Sequence, residues 1–326
     1  MTTRRAFLST LACGLLTALL AAEAQQAGKV YRIGVLSQAA TEPTPLPLVR
    51  PLRALGWVEG KNFVFEYRFA EGTNERLPAL AAELTGHNVD IIFVQGTPGA
   101  LAAKGTTTTI PIVMIGVSEP VRSRLVASLA RPGGNITGTA VLGADIFGKT
   151  LQLLKEIIPH ASAVGVLFDP QNPAQVDQVH GELAAAAAVL AVKLVPLGVD
   201  APSALEGVFA EALRKRANAL VVLPLGKFAG IQRVLADLAI KHRLATATAF
   251  RSYAEQGALL SFSTSMDEEY QRAAALIDKI LRGARPADLP IEQPTKFELT
   301  INLRTAKALG LTIPPSLLAR ADHVIE

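Results

Sequence analysis

The clearest indication of the fold is the stretch DIIFVQGTPGALAAKG, residues 90–105. It begins with a short apolar run, passes through a turn of glycine, threonine and proline, and ends in an alanine-rich segment typical of a helix. A buried strand that leads through a tight loop into a helix is the repeating unit of a parallel sheet covered on both faces. We therefore predict a strand over 90–95 and a helix over 99–104.

The same strand-and-helix unit recurs along the chain in two consecutive series. The first series predicts strands at 31–36, 63–69, 90–95, 111–117 and 136–142, with helices at 77–84 and 99–104. The second predicts strands at 163–168, 193–197, 219–224, 246–250 and 258–263, with helices at 147–158, 176–190, 203–214 and 231–242. The pattern predicts an α/β fold made of two doubly wound parallel-sheet lobes.

The last sixty residues predict how the lobes are joined. An amphipathic helix is expected over 267–282, and three prolines then mark an extended segment before a strand at 297–302 and a short helix at 305–309. Because the second series is complete before this helix, we expect the chain to return to the first lobe, with several hinge strands between the lobes. The predicted N-terminal lobe is 28–141 plus 264–296, and the C-terminal lobe is 142–263 plus 297–326.

Composition and motifs exclude several classes of function. Apolar residues make up 50% of the chain and charged residues 18%, which excludes a disordered chain. Aromatic residues make up only 5%, and the lysines and arginines behind the net charge of +4 are scattered, so we expect no nucleic-acid partner. The histidines lack metal-ligand spacing, and neither H-E-x-x-H nor G-x-S-x-G occurs. We expect no metal, no cofactor and no enzyme active site.

The first 24 residues have the three parts of a secretory signal peptide. Arg4 and Arg5 precede an apolar run over 11–22, and Ala22-Glu23-Ala24 forms a cleavage site. The run is shorter than the roughly 20 residues that a membrane span needs. We predict cleavage after Ala24 and export to the periplasm. Because residues 4–8 also resemble the twin-arginine signal, the Sec and twin-arginine routes both stay open.

Polar side chains follow the predicted strands of both lobes. In open α/β sheets, ligands bind at the carboxyl ends of the strands, where the next helix presents unpaired N–H groups. Taken singly, each serine or threonine there is better explained as a helix N-cap. Taken together, they share one rim of each sheet, which favours a ligand site. The candidate ligand-binding residues are Ser37, Gln38, Thr97, Pro98, Ser118 and Glu119 in the first lobe, and Asp169, Asn172, Leu225 and Phe250 in the second.

Hydroxyl and amide groups can hold a polar or amphipathic small molecule without reacting with it. We therefore expect a ligand that is bound between the lobes, buried by hinge closure and released unchanged. Two alternatives stay open. Glu119 and Asp169 could form a catalytic carboxylate pair in an exported isomerase or hydrolase. The same two-lobed fold could instead report its ligand to a membrane receptor.

Several blocks of sequence resemble one known family. They are 56–62 (GWVEGKN), 66–72, 96–104, 111–113, the most specific stretch 125–138 (LVASLARPGGNITG), and the C-terminal segments 293–302, 305–310 and 313–320. On these residues the chain resembles the ABC transporter substrate-binding proteins, whose characterised relatives include tryptophan- and phenylalanine-binding proteins. The resemblance implies a type I periplasmic binding protein, with two lobes, three crossings and a ligand in the cleft. We also expect a monomer that delivers its ligand to an inner-membrane ABC permease with its ATPase.

The chain departs from that family's pattern near the expected site. Family members often carry Asp-Pro where this chain has Glu119-Pro120, and small residues at the positions of Arg122 and Arg124. An acidic residue commonly follows the Leu-Pro pair of the second lobe, where this chain has Leu225. If that acid holds the amino group of the ligand in relatives, Asp169 or Glu119 would have to replace it here. An amino acid and an anionic carboxylate therefore both stay open as ligands.

Overall fold

The computed structural model describes residues 29–39, 46–141, 143–223, 225, 232–294 and 296–326. The predicted signal peptide lies outside the described residues. Among those that are described, no helix is both long and apolar enough to span a membrane.

The first sheet is parallel throughout and has the strand order β2-β1-β3-β4-β5. Its strands are β1 (Tyr31–Ser37), β2 (Phe63–Phe69), β3 (Ile91–Gln95), β4 (Ile112–Ser118) and β5 (Ile136–Val141). The helices between them are α1 (Val49–Ala54), α2 (Leu77–Gly86) and α3 (Thr97–Thr106), and a 3₁₀ turn, Asn74–Arg76, precedes α2.

The second sheet has the order β12-β11-β10-β9-β8-β6-β7. Its strands are β6 (Ala163–Phe168), β7 (Lys193–Gly198), β8 (Ala219–Val222), β9 (Ala245–Thr248), β10 (Leu260–Thr264), β11 (Phe297–Asn302) and β12 (His323–Ile325). Its helices are α4 (Gly143–Ile157), α5 (Pro173–His180), α6 (Glu182–Val189), α7 (Leu205–Arg214), α8 (Gln232–Lys241), α9 (Arg251–Glu255), α11 (Leu303–Leu309) and α12 (Pro315–Leu318). The two lobes confirm the predicted α/β fold. Two strands depart from the parallel pattern, because β11 runs antiparallel to β10 and β12 runs parallel to β11.

The long helix α10 (Met266–Leu281) packs on the first sheet although it follows the last strands of the second. Its apolar face buries Ile277 against Ile33 and Phe93, and it shares this side of the sheet with Leu52 of α1. Helices α2 and α3 cover the opposite side. The continuous apolar strands of the first sheet are therefore buried on both faces, as parallel sheets require.

Three segments of chain run between the lobes: β5 to α4, β10 to α10, and the residues before β11. The third lies beside β5. The N–H of Glu292 donates to the carbonyl of Gly138 at 2.9 Å, and the N–H of Ala140 donates to the carbonyl of Glu292 at 2.9 Å. Two of the crossings are therefore hydrogen-bonded to each other, and the lobes are not joined by a single linker.

The helix expected over 176–190 is two helices in the structure, and they meet at Gly181. A Cβ at this position would lie 2.8 Å from the carbonyl oxygen of Asp177, so the break needs a residue without a side chain. The sequence pattern also gives no indication of α1, α9, α12 and β12. Each is six residues or shorter, which is too short for a helical or strand period to stand out.

Candidate functional site

A cavity of about 200 Å³ lies between the two lobes, at the carboxyl ends of their strands. Nine of the ten residues predicted from strand ends line it: Ser37, Gln38, Thr97, Pro98, Ser118, Asp169, Asn172, Leu225 and Phe250. Glu119 is not among the lining residues. It occupies a turn with φ of 47°, and its carbonyl accepts a hydrogen bond from the N–H of Ser123. The structure thus brings Asp169 to the cavity without Glu119.

The first-lobe wall is built around the start of α3. Gly96 precedes the helix with φ of 80°, and a Cβ there would lie 3.2 Å from Oε1 of Gln38. Pro98 occupies the first turn, where its missing N–H removes no helical bond. The hydroxyl of Thr97 accepts a hydrogen bond at 3.3 Å from the N–H of Ser118, which ties α3 to the end of β4. The positive end of the α3 dipole therefore faces the cavity and can hold an anionic group.

The second-lobe wall is built around Asp169, which directly follows β6 and is 3% exposed. Its Oδ1 accepts from the N–H of Gln171 at 3.0 Å, and its own N–H donates to Oε1 of Gln175 at 2.8 Å. Asn172 caps α5 by accepting from the N–H of Ala174 at 3.1 Å, so it has a structural role as well as a place on the wall. Among the described lining residues, Asp169 is the one carboxylate, and none carries a positive charge.

The remaining wall is apolar and aromatic. The rings of Phe250 and Tyr253 stack with centroids 6.1 Å apart, and Leu225, Pro98 and Met266 complete this side. Burial raises the pKa of Tyr253, so its phenol stays neutral. The cavity thus presents a positive helix end, a carboxylate and an apolar wall to one small molecule.

Polar contacts close one side of the cleft. The amide nitrogen of Asn74, on the 3₁₀ turn of the first lobe, donates to Oδ2 of Asp169 at 2.6 Å. Next to it, the amide of Gln171 donates to the carboxylate of Glu75. A third interlobe contact pairs Arg122 with Asp177 at 3.5 Å. The structure therefore has its lobes in contact across the cavity.

Sequence reasoning missed several residues of the site. Gln95, Gln175, Tyr253 and Met266 line the cavity, and Asn74 reaches its edge. Gln95 is the last residue of β3 and could have been selected by the strand-end rule applied to the other candidates. The others lie inside helices or turns, where no local signal distinguishes them.

The part of the chain that the structure describes holds no group of three or more His, Cys, Asp or Glu side chains placed to bind a metal ion.

Residues 37–325 match the ABC transporter substrate binding protein family. A tyrosine-binding protein of Clostridioides difficile is 26% identical over 267 residues, which are 81% of this chain and 75% of that protein. A conserved domain protein of Vibrio cholerae has a similar structure, with a TM-score of 0.83 at 30% identity over 91% of this chain and all of that one.

Two further solved structures differ in how well they match. A Streptococcus pneumoniae ABC domain in complex with L-Trp gives a TM-score of 0.80 at 22% identity, over 91% of this chain and all of that one. The ligand-free, open structure of a Clostridium difficile substrate-binding protein with adhesive properties gives 0.61 at 25% identity, over 91% of this chain and 99% of that one.

Proposed function

The chain belongs to the ABC transporter substrate-binding protein family, and we propose that it captures one small amphipathic solute, an amino acid, between its lobes. The observation that carries the proposal is the cavity itself, which sets the N-terminal end of α3 opposite Asp169, with Phe250 and Tyr253 beside them. A carboxylate suits the positive end of a helix, and an ammonium group suits a carboxylate. The two ends of an amino acid therefore match the two polar walls.

The size of the cavity fits this class of ligand. Its volume of about 200 Å³ leaves room for a small molecule between the two walls. A single amino acid is a ligand of this kind. The stacked rings of Phe250 and Tyr253 favour an apolar or aromatic side chain over a charged one. The names of similar proteins point the same way, since one binds tyrosine and another was solved with L-Trp.

Hinge closure completes the proposed binding cycle. The structure matches the L-Trp-bound relative better than the open, ligand-free one at similar sequence identity, which supports a closed arrangement of the lobes here. A ligand that contacts both walls stabilises this arrangement by as much as it prefers the closed form to the open one. The closed protein then delivers the solute to an inner-membrane ABC permease with its ATPase. We place this cycle in the periplasm, after cleavage of the signal peptide behind Ala24.

Isothermal titration with matched ligands tests the proposal. L-Tyrosine, L-tryptophan and L-phenylalanine are compared with tyramine, which lacks the carboxylate, and with 3-(4-hydroxyphenyl)propionate, which lacks the amine. We expect at least one amino acid to bind, and both truncated compounds to bind more weakly. At a concentration of about 100 times Kd, the ligand should stabilise the protein by about 2.7 kcal/mol. Tight binding of the propionate with no binding of amino acids would replace the proposal with a carboxylate receptor. No binding by any of the five compounds would contradict it.

A further inference from the structure

Asn74 does not line the cavity, yet it joins two residues that line it from opposite lobes. The amide of Gln38 donates to Oδ1 of Asn74 at 2.5 Å, and Nδ2 of Asn74 donates to Oδ2 of Asp169 at 2.6 Å. An ionised carboxylate can only accept, so the amide nitrogen of Asn74 has to face Asp169 and its oxygen has to face Gln38. The three side chains form one polar relay across the cleft.

The relay supplies one of the hydrogen bonds that orient the carboxylate of Asp169. Two of its hydrogen bonds come from different lobes: the N–H of Gln171 donates to Oδ1 at 3.0 Å, and Asn74 of the other lobe donates to Oδ2 at 2.6 Å. The bond from Asn74 exists only while the lobes are in contact. The carboxylate is therefore more firmly oriented in the closed arrangement than in the open one.

We propose that Asn74 is a positioning residue that couples ligand recognition to lobe closure, because it orients Asp169 for the ligand only when the lobes meet. The inference rests on the proposed binding role of the cavity. A ligand group that donates to Asp169 finds a better oriented acceptor in the closed form than in the open one. This difference in affinity between the two forms is what shifts the population toward closure.

In the described part of the chain, the two charged residues that follow Asn74 on its turn both have partners. Glu75, on the same turn as Asn74, accepts from the amide of Gln171, and Arg76 pairs with Glu71 at 2.5 Å. Another interlobe ion pair, Arg122 with Asp177, is about half exposed on both sides. Exposed pairs contribute little to stability, so we expect the part-buried relay to affect ligand retention more than this ion pair does.

Asn74→Asp keeps the hydrogen bond of the relay to Gln38 and removes the one to Asp169. Aspartate keeps an acceptor for Gln38 within the first lobe, but it removes the donor to Asp169 and sets two carboxylates against each other. We expect the Kd for L-tyrosine at about pH 7.5 to rise by about ten- to a hundredfold relative to wild type, mainly through faster dissociation. At about pH 5 the ratio should shrink, because a shared proton can replace the lost amide hydrogen between the two carboxyl groups.

Arg122→Ala is the matched control, since it removes an interlobe contact that does not touch the cavity lining. We expect it to change the Kd by less than about twofold. A Kd for Asn74→Asp equal to that of wild type would overturn the proposal. A loss of the same size at both pH values would also overturn it, because that result indicates a purely structural role for Asn74.

A second measurement tests the relay independently of the proposed binding of an amino acid. If the wild type binds none of the amino acids, the proposed function fails, and the relay is then tested in the ligand-free protein. Nitroxide labels on Arg53→Cys and Leu213→Cys, at exposed positions of the two lobes, report the interlobe distance by double electron–electron resonance. We expect longer distances for Asn74→Asp than for Asn74 at about pH 7.5. Identical distance distributions would overturn the relay.

Discussion

The hydroxyl of Thr139 donates a hydrogen bond to the carboxylate of Glu269, across 130 positions of sequence. Thr139 lies near the end of β5, before the first crossing, and Glu269 lies in the first turn of α10, just after the second. In the same place, Arg272 of α10 pairs at 3.2 Å with Glu292 of the third crossing. All three crossings are therefore tied together around one buried acid, which is 1% exposed.

Glu269→Gln is expected to raise the free energy of unfolding at neutral pH. Burial raises the pKa of Glu269 in the folded protein, and the bonds from Thr139 and Gly116 and the charge of Arg272 only partly oppose this. Because the folded-state pKa lies above the unfolded one, the ionised acid costs stability as pH rises above about 4.3, the ordinary value for a glutamate. Glutamine keeps a partner for Thr139 without that cost.

Denaturant unfolding over a range of pH measures this effect. The advantage of Glu269→Gln should be present near pH 7 and vanish below about pH 4.3, where the wild-type acid is neutral in both states. Asp267→Asn, at an exposed position two residues earlier on the same helix, is the control and should show no such gain. A variant less stable than wild type at neutral pH would show that the carboxylate is needed at the hinge in its charged form.

Asp169→Asn is expected to weaken binding of an amino acid about tenfold or more, since a hydrogen bond to a charged group contributes about 1.5–3 kcal/mol. Isothermal titration with L-tyrosine measures the change. Asp177→Asn removes an acid of the same lobe whose side chain is 56% exposed, and it should change the affinity very little. Equal Kd values for Asp169→Asn and wild type would remove Asp169 from the binding site.

Gly96→Ala is expected to lower both stability and ligand affinity. The residue has φ of 80°, which strains any residue with a side chain, and the added methyl group would lie 3.2 Å from the side chain of Gln38, which has to move slightly. We expect a loss of about 1–3 kcal/mol in the free energy of unfolding. Gly105→Ala, near the other end of the same helix and with open space around it, should be neutral or stabilising by up to about 1 kcal/mol. Thermal unfolding with and without L-tyrosine separates the two effects.

Gly138→Ala tests how closely β5 approaches β4. The added Cβ would lie 1.9 Å from the carbonyl oxygen of Met114, where the register of the two strands shifts. We expect a loss of about 3 kcal/mol or more in denaturant unfolding, because backbone atoms have to move. Gly134→Ala, four residues earlier with nothing within 4 Å, is the control. Equal midpoints for the two variants would show that the strands can part without cost.

Local sequence patterns predicted the helices and strands in which apolar residues recur at regular spacing. The bounds of β2, β6 and β11 agree with the prediction at both ends. β6 is an apolar run, and β2 and β11 have apolar residues at alternate positions. Helix α3 begins two residues earlier than expected, at Thr97, because Thr97 and Pro98 were interpreted as loop while proline fits the first helical turn. Short elements such as α9, with five residues, are too short for a regular spacing of apolar residues to be detected.

The site could be predicted only where it follows the rule that ligands bind at the carboxyl ends of parallel strands. The carboxyl ends of strands share an edge, so residues such as Ser118 and Asp169 could be selected from the sequence. Asn74 could not, because it follows an edge strand in a 3₁₀ turn and reaches Asp169 only through the orientation of one lobe against the other. That orientation depends on the packing of α10 and the paired crossings, which no short stretch of sequence encodes.

Each lobe is completed by segments near the C-terminal end of the sequence, and this order affects how the protein folds during synthesis. The first sheet has all its strands by residue 141, but the helix that covers one of its faces is made only at 266–281. The second sheet gains β11 and β12 from the last thirty residues. A nascent chain on the ribosome therefore exposes apolar surface of the first lobe until α10 has been made, and the second lobe is completed only when β11 and β12 follow.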